Sequence, residues 1–152
     1  MRLTAYTDYS LRVLIYLAVS TAERATIREI AQHYGISRNH LMKVVQELSQ
    51  RGYVVALRGK NGGLKLNMAP SGIKIGQLIA AMENDMALTE CFGDNNQCIL
   101  TPACKLRTIL AEALQAFLST LDQYSLEDVV AGPQKAQLIT ILDMQRAARS
   151  AS

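Results

Sequence analysis

The sequence has no apolar run long enough to cross a bilayer. Its longest, Leu11 to Ser20, is interrupted by Arg12 and falls well short of the ~20 residues a membrane helix needs. There is no charged start followed by an apolar stretch and a small-residue cleavage site, so no segment reads as a secretory signal. A cytoplasmic protein is expected. Cysteine is scarce: three residues, an odd number, cannot all pair within one chain. In a reducing compartment a tight cysteine group reads as a metal or redox site rather than a disulfide framework. The marks of an enzyme are also missing. There is no nucleophile–base pair, phosphate-binding loop or two-histidine metal motif, so no catalytic residue is expected.

What is present suits a folded chain. Its 152 residues are 49% hydrophobic and 19% charged, enough for one domain with a real core or two small subdomains and too apolar for disorder. The net charge of +3 hides an asymmetry. Residues 1–75 carry 11 Lys/Arg against 4 Asp/Glu, whereas residues 76–152 carry 5 against 9. A basic half followed by an acidic half suggests that only the first meets a polyanion.

Along the chain, residues 4–20 read as a helix with Thr7 as N-cap and Leu11, Leu14, Ile15 and Ala18 as its apolar stripe. Asp8 falls in the first turn, where it complements the helix dipole. Residues 26–34 read as a second helix, with Thr26 and Glu29 forming a capping box and Ile27, Ile30, Ala31 and Tyr34 facing inward. Gly35 breaks the pattern. Ser37 caps a third helix whose Leu41, Val44, Val45 and Leu48 point to the core, and Gly52 ends it. A small residue, a glycine turn and a second amphipathic helix make a helix-turn-helix signature. Its outward face carries Ser37, Arg38, Asn39, His40 and Lys43, donors suited to base edges and phosphates in a major groove. Arg28 on the preceding helix joins this set.

Next, YVVALR and LKL flank GKNGG. Asn61-Gly62 within that turn is a strong hairpin signal, because both central residues must accept positive φ. A hairpin directly after a recognition helix is the wing of a winged helix-turn-helix. Arg58, Lys60 and Lys65 would make its tip cationic, fit for phosphates or for a narrow minor groove; the competing reading is a structural hairpin with solvated charges. A fourth helix is expected over residues 73–83, with Ile75, Leu78, Ile79 and Met82 buried.

All three cysteines lie in CFGDNNQCILTPAC, spaced Cys91-x6-Cys98-x5-Cys104. Thr101-Pro102 reads as a helix start that puts Cys104 at the third helical position, where a thiolate is favoured. Three thiolates suit a soft metal or an iron–sulfur cluster. They fall one short of four-coordinate closure, so another residue, a partner chain or an exogenous molecule must complete the set. Residues 102–124 give the longest helix signal, roughly 34 Å at about 1.5 Å per residue. Leu106, Leu110, Ala113, Phe117 and Tyr124 form a heptad-like seam, and Ile109, Leu114, Leu118 and Leu121 add a second apolar line. The helix reads as a dimer helix, with a purely intramolecular core helix as the alternative. SLEDVVA suggests a short capped helical turn, and the tail after Gly132-Pro133 an amphipathic helix with frayed last residues.

With LTAYTDYSLRVLIYLA, SRNHLMKVV, RGYVVALRGKNGG and CILTPAC in view, the chain resembles a bacterial family of winged-helix iron–sulfur regulators over about residues 1–131. It is most similar to that family's nitric-oxide-sensing branch. The resemblance implies a homodimer with a cluster in each subunit, ligated by Cys91, Cys98 and Cys104. It implies Asp8, donated by the other subunit, as a fourth ligand. Another branch carries a histidine three residues after the last cysteine; here that position is Arg107. The implied fold is mainly α with a small β-hairpin, a winged helix-turn-helix domain plus a long dimerisation helix. Residues 1–83 would bind DNA, 84–104 would form the cluster-binding loop, 102–131 the dimerisation helix region and 132–152 a C-terminal tail. The implied function is a cytoplasmic repressor on a palindromic operator, responding to nitric oxide through a cluster, 4Fe–4S rather than 2Fe–2S. The alternative is a regulator of iron–sulfur status or oxidative stress.

Overall fold

The computed structural model describes residues 2–151. Seven helices and one two-stranded antiparallel sheet follow in the order α1 (Ala5–Val19), α2 (Ile27–Tyr34), α3 (Arg38–Gln50), β1 (Val54–Leu57), β2 (Gly63–Leu66), α4 (Ile75–Met82), α5 (Lys105–Asp122), α6 (Leu126–Val130) and α7 (Pro133–Ser150). No helix among the described residues is long and apolar enough to cross a membrane. The fold is mainly α with a small hairpin, as expected.

Helix α1 is the centre of the packing and touches α3, α4, α6, α7 and β2. Its N-cap is Thr4, whose hydroxyl accepts from the Thr7 amide, and not Thr7, which is itself buried. The cap moves because Thr7 and Ser10 are needed inside. Both are small, and the Ser10 hydroxyl donates back to the Tyr6 carbonyl at 2.8 Å, so neither brings an unpaired polar group into the core. The fully buried apolar positions are Val13, Leu14 and Val19, while Leu11, Ile15 and Ala18 are half-buried.

The helix-turn-helix forms for the reasons legible in its sequence. Thr26 and Glu29 make the reciprocal capping box that starts α2. Gly35 ends it at φ 66°, a left-handed conformation that glycine adopts without strain. Ser37 caps α3, and Leu41, Val44, Val45 and Leu48 are all buried. Beyond α3 comes the wing. Its strands pair with Val54 opposite Leu66 and Leu57 opposite Gly63, so the loop spans residues 58–62. This nearly coincides with the expected GKNGG turn, but the positive φ falls at Gly59 and not at Asn61 and Gly62. The register explains this. A turn at those two residues would pair Leu57 with Leu66 and leave Val54 unpaired, whereas the observed register keeps Val54 and Leu64 buried together. Ala25 forms a bridge to Leu64 and anchors the wing to the start of α2.

The second half folds back onto this unit. Ile73 accepts from the Leu126 amide at 2.8 Å, and the Ile75 amide donates to Tyr124. Ile73 and Lys74 are therefore extended, and α4 begins two residues later than expected. Ile75, Leu78, Ile79 and Met82 are buried on α4 as expected. Asp122, at the end of α5, accepts from the Gln77 amide at 2.7 Å and satisfies the start of α4, which has no side-chain cap of its own. Helix α6 carries a second capping box, Ser125 with Asp128. Two hydrogen bonds from Ser125, backbone first and hydroxyl second, hold the Asp128 carboxyl below its ordinary pKa. Helix α7, the amphipathic helix expected after Gly132-Pro133, runs through Ser150; it packs against α2 and buries Leu142.

Candidate functional site

Two regions carry the candidate residues, and α1 joins them. The first is the outer face of α3 and the wing. Ser37, Arg38, Asn39, His40 and Lys43 are exposed on the first turns of α3; Arg28 is exposed on α2; Arg58, Lys60 and Lys65 are exposed on the wing. Between α3 and β1 runs an open groove of about 770 Å³ lined by Asn39, Met42, Lys43, Gln46 and Ala56 among others. Met42 and Gln46 were missed in the sequence reading. Their spacing from Asn39 and Lys43, one helical turn, is the signal that finds them. Arg24 donates to the Asn61 carbonyl and ties the wing loop to the segment before α2.

The aromatic side chains of α1 hold α3 in place. Tyr6 donates to the Lys43 carbonyl at 2.8 Å, and Tyr9 meets His40 edge-on at 5.0 Å between centroids. Tyr34 donates to the Arg12 carbonyl at 3.0 Å, and burial pushes its hydroxyl up to about 12 against the opposing pull of Arg12. His33 is buried against Tyr16, and its Nδ1 donates to the Glu29 carbonyl at 2.7 Å. His33 is thus held inside the fold by its hydrogen bond and ring contact.

Asp8 is half-exposed and pairs with Arg12 at 2.8 Å. The Arg12 guanidinium in turn lies 5.9 Å from the ring centroids of both Tyr9 and Tyr34. Asp8 is thus connected to the recognition helix by three successive contacts, through Arg12 and Tyr9 to His40.

The second region is the cysteine segment. All three cysteines are free thiols; Cys98 is exposed, Cys91 and Cys104 half-exposed. Cys91 sits in a short 3-10 turn, Glu90–Phe92, with its Sγ 3.1 Å from the Thr89 hydroxyl. The Cys98 amide donates to Asn96 Oδ1, and the Cys98 carbonyl accepts the Thr101 hydroxyl at 2.8 Å. Glu90 accepts from the Gln97 amide and links the two parts. Helix α5 starts at Lys105, so Cys104 occupies the cap position and not the third helical position. The expected cap, Thr101, spends its hydroxyl on Cys98 and Asn96. Residues 101–103 close instead as a separate 3-10 turn.

Among the described residues no three His, Cys, Asp or Glu side chains of a single chain are gathered around one point. The donor set still fits an iron–sulfur group in its chemistry. Three soft thiols lie on one irregular segment, none is buried in the core and none is consumed by a disulfide.

Helix α5 leads directly out of this segment. It is 18 residues long, about 27 Å at 1.5 Å per residue, and has no buried residue. One side leans on α4. The other leaves Leu106 58% and Ile109 50% exposed, and Ile99 and Leu100 stand out beside it. Arg2, Glu83, Met86, Leu114 and Phe117 line a neighbouring cavity of about 440 Å³.

The comparisons agree with this architecture. The chain is 53% identical over 132 residues to the HTH-type transcriptional regulator NsrR of Bacillus licheniformis, covering 86% of this chain and 92% of that protein. It is 47% identical over 147 residues to NsrR of Bacillus subtilis, covering 95% and 99%. In structure it is similar to CymR, the global cysteine regulator of B. subtilis, with a TM-score of 0.66, 25% identity and coverage of 85% of this chain and 95% of that one. The fold also matches T. potens IscR, with a TM-score of 0.68, 21% identity and 86% coverage of each chain. The profile of the Rrf2 family, iron-dependent transcriptional regulators, matches residues 3–132, and the chain belongs to that family.

Proposed function

We propose that this protein is a cytoplasmic, homodimeric repressor that responds to nitric oxide through an iron–sulfur cluster. Cys91, Cys98 and Cys104 would hold the cluster together with Asp8 of the partner subunit. The observation that carries this reading is the continuity of three free thiols with α5, an apolar-faced helix none of whose residues is buried within its own chain. High identity to NsrR proteins over nearly the whole chain supports it. When bound, the cluster, 4Fe–4S in this reading, would supply iron that reacts with nitric oxide.

The chain's own residues do the rest. Helix α3 presents Ser37, Arg38, Asn39, His40 and Lys43 to a major groove, and Arg28, Arg58, Lys60 and Lys65 contact the flanking backbone or minor groove. Dimer symmetry matches a palindromic operator. Asp8 leans on Arg12, Arg12 on Tyr9, and Tyr9 on His40. A change in what Asp8 contacts would therefore alter the support of the recognition helix, and a displacement of an ångström or two across two half-sites would disrupt many contacts.

The test is iron and acid-labile sulfide per chain after anaerobic purification. Cys98→Ser should lose both. Asp8→Ala should keep the fold and weaken the cluster or its response to nitric oxide. An Asp8→Ala protein with normal cluster content and normal response would remove Asp8 from the ligand set.

A further inference from the structure

Helix α7 lies outside the matched family segment, residues 3–132, and the function proposed above gives it no role. Its inner side is seated on the helix-turn-helix: Leu142 is buried, and Leu138 and Ile139 pack on the same core. This docking carries its last turn onto the turn of the motif. A Cβ on Gly35 would fall 2.7 Å from Cζ of Arg149, so the guanidinium lies directly over Gly35. That glycine is the C-cap of α2, two residues before Ser37, which caps α3. Arg146, one turn earlier, and Arg149 line an open concavity of about 400 Å³ with Gln32 and Ser150.

Neither arginine takes part in an ion pair among the described residues; the pairs are Asp8–Arg12, Glu23–Arg24 and Glu47–Arg51. Arg146 shares a cleft on its other side with Glu29 and Asp143, whereas Arg149 stands at the turn two residues before the cap of α3, whose own dipole is positive at that end. Placed together, they favour an anion, and the fork matches the geometry of a phosphate. Gly35 in turn lies three residues before Arg38, an exposed cation at the start of α3.

We propose that α7 is a third DNA-contacting element, in which Arg149 and Arg146 hold the phosphate backbone beside the groove that α3 enters. This rests on the reading of α3 as a DNA-binding helix. Such contacts carry no sequence information; they add affinity and fix the approach of the motif.

The experiment measures binding of the full-length protein to a random-sequence duplex across a salt series. Each lost phosphate contact should reduce the slope of log affinity against log salt by about 0.9, hence about 1.8 for the two protomers of a dimer. Arg149→Gln and Arg146→Gln should each show this reduction, with similar weakening on every sequence tried. Arg149→Lys should restore most of the slope, and Lys135→Gln, at the far end of α7, should leave it unchanged. Full wild-type slopes in folded Arg149→Gln and Arg146→Gln proteins would overturn the proposal and leave Arg149 as a brace on the end of α2. If Arg149→Gln fails to fold, Arg146→Gln alone decides in the same way. A wild-type protein without salt-dependent DNA binding would overturn the DNA-binding reading itself, and this one with it.

Discussion

Replacing Leu106 and Ile109 together by aspartate should split the proposed dimer while leaving each chain folded. The two positions are three apart on α5 and share a face, and they remain 58% and 50% exposed. Full burial of a Leu or Ile side chain is worth about 1.5–3 kcal/mol, so covering the exposed half gives about 0.8–1.5 kcal/mol each. Four such side chains meet across a two-fold axis, about 3–6 kcal/mol in all, which corresponds to a dimer Kd raised by roughly 10² to 10⁴. Burying a carboxylate without a partner adds to the penalty. Sedimentation velocity over a concentration series reads the dissociation directly, and circular dichroism checks that the helices persist. Neither residue belongs to the core, so the variant should melt as a stable monomer. A variant that dimerises with the wild-type constant would refute the reasoning and place the interface on another surface.

Three further changes probe other links. Gly76→Ala should lower stability by about 1–3 kcal/mol, or roughly 3–10 °C in Tm, because its methyl would fall 2.6 Å from the Leu118 carbonyl and overlap the Asp122 carboxylate; a thermal melt at or above the wild-type value would show that α4 and α5 can separate freely. Asp128 has a lowered carboxyl pKa in the folded chain, so its capping contribution is complete above the ordinary aspartate value near 3.8 and fades as pH falls through that value toward the lowered one. Asp128→Asn should flatten that part of the stability profile in denaturant melts, and an unchanged profile would remove the capping box from the acid response. Arg38→Ala should weaken operator binding without changing the cluster spectrum, with a loss of about 1–3 kcal/mol if Arg38 reads a base; unaltered affinity would mean that the reading face of α3 lies elsewhere.

The helix-turn-helix was legible because its local and long-range signals agree. A capping box, a left-handed glycine and four inward apolar residues all specify the same geometry around Thr26, Gly35 and Leu41 to Leu48. The hairpin was legible in existence but not in its turn. Asn-Gly favours a tight turn locally, yet the burial of Val54 and Leu64 sets the register and overrides it. The start of α1 was misplaced because Thr4 and Thr7 are both suitable caps, and only the tertiary packing decides which is buried. Cys104 was misplaced because a threonine before a proline looks like a helix cap, whereas the Thr101 hydroxyl is taken by Cys98. The tail gave no functional signal at all. Arg149 acquires one only through its position over Gly35, a contact between residues 114 apart in sequence.

In the proposed function the cysteine segment controls the DNA-binding face, and one anaerobic titration tests this directly. The holoprotein, with an operator selected from a random duplex pool, is titrated with nitric oxide while iron–sulfur absorption and DNA binding are followed on the same sample. The absorption should bleach and DNA should be released over the same range of added nitric oxide. A colourless protein that binds DNA regardless of iron and nitric oxide would contradict it.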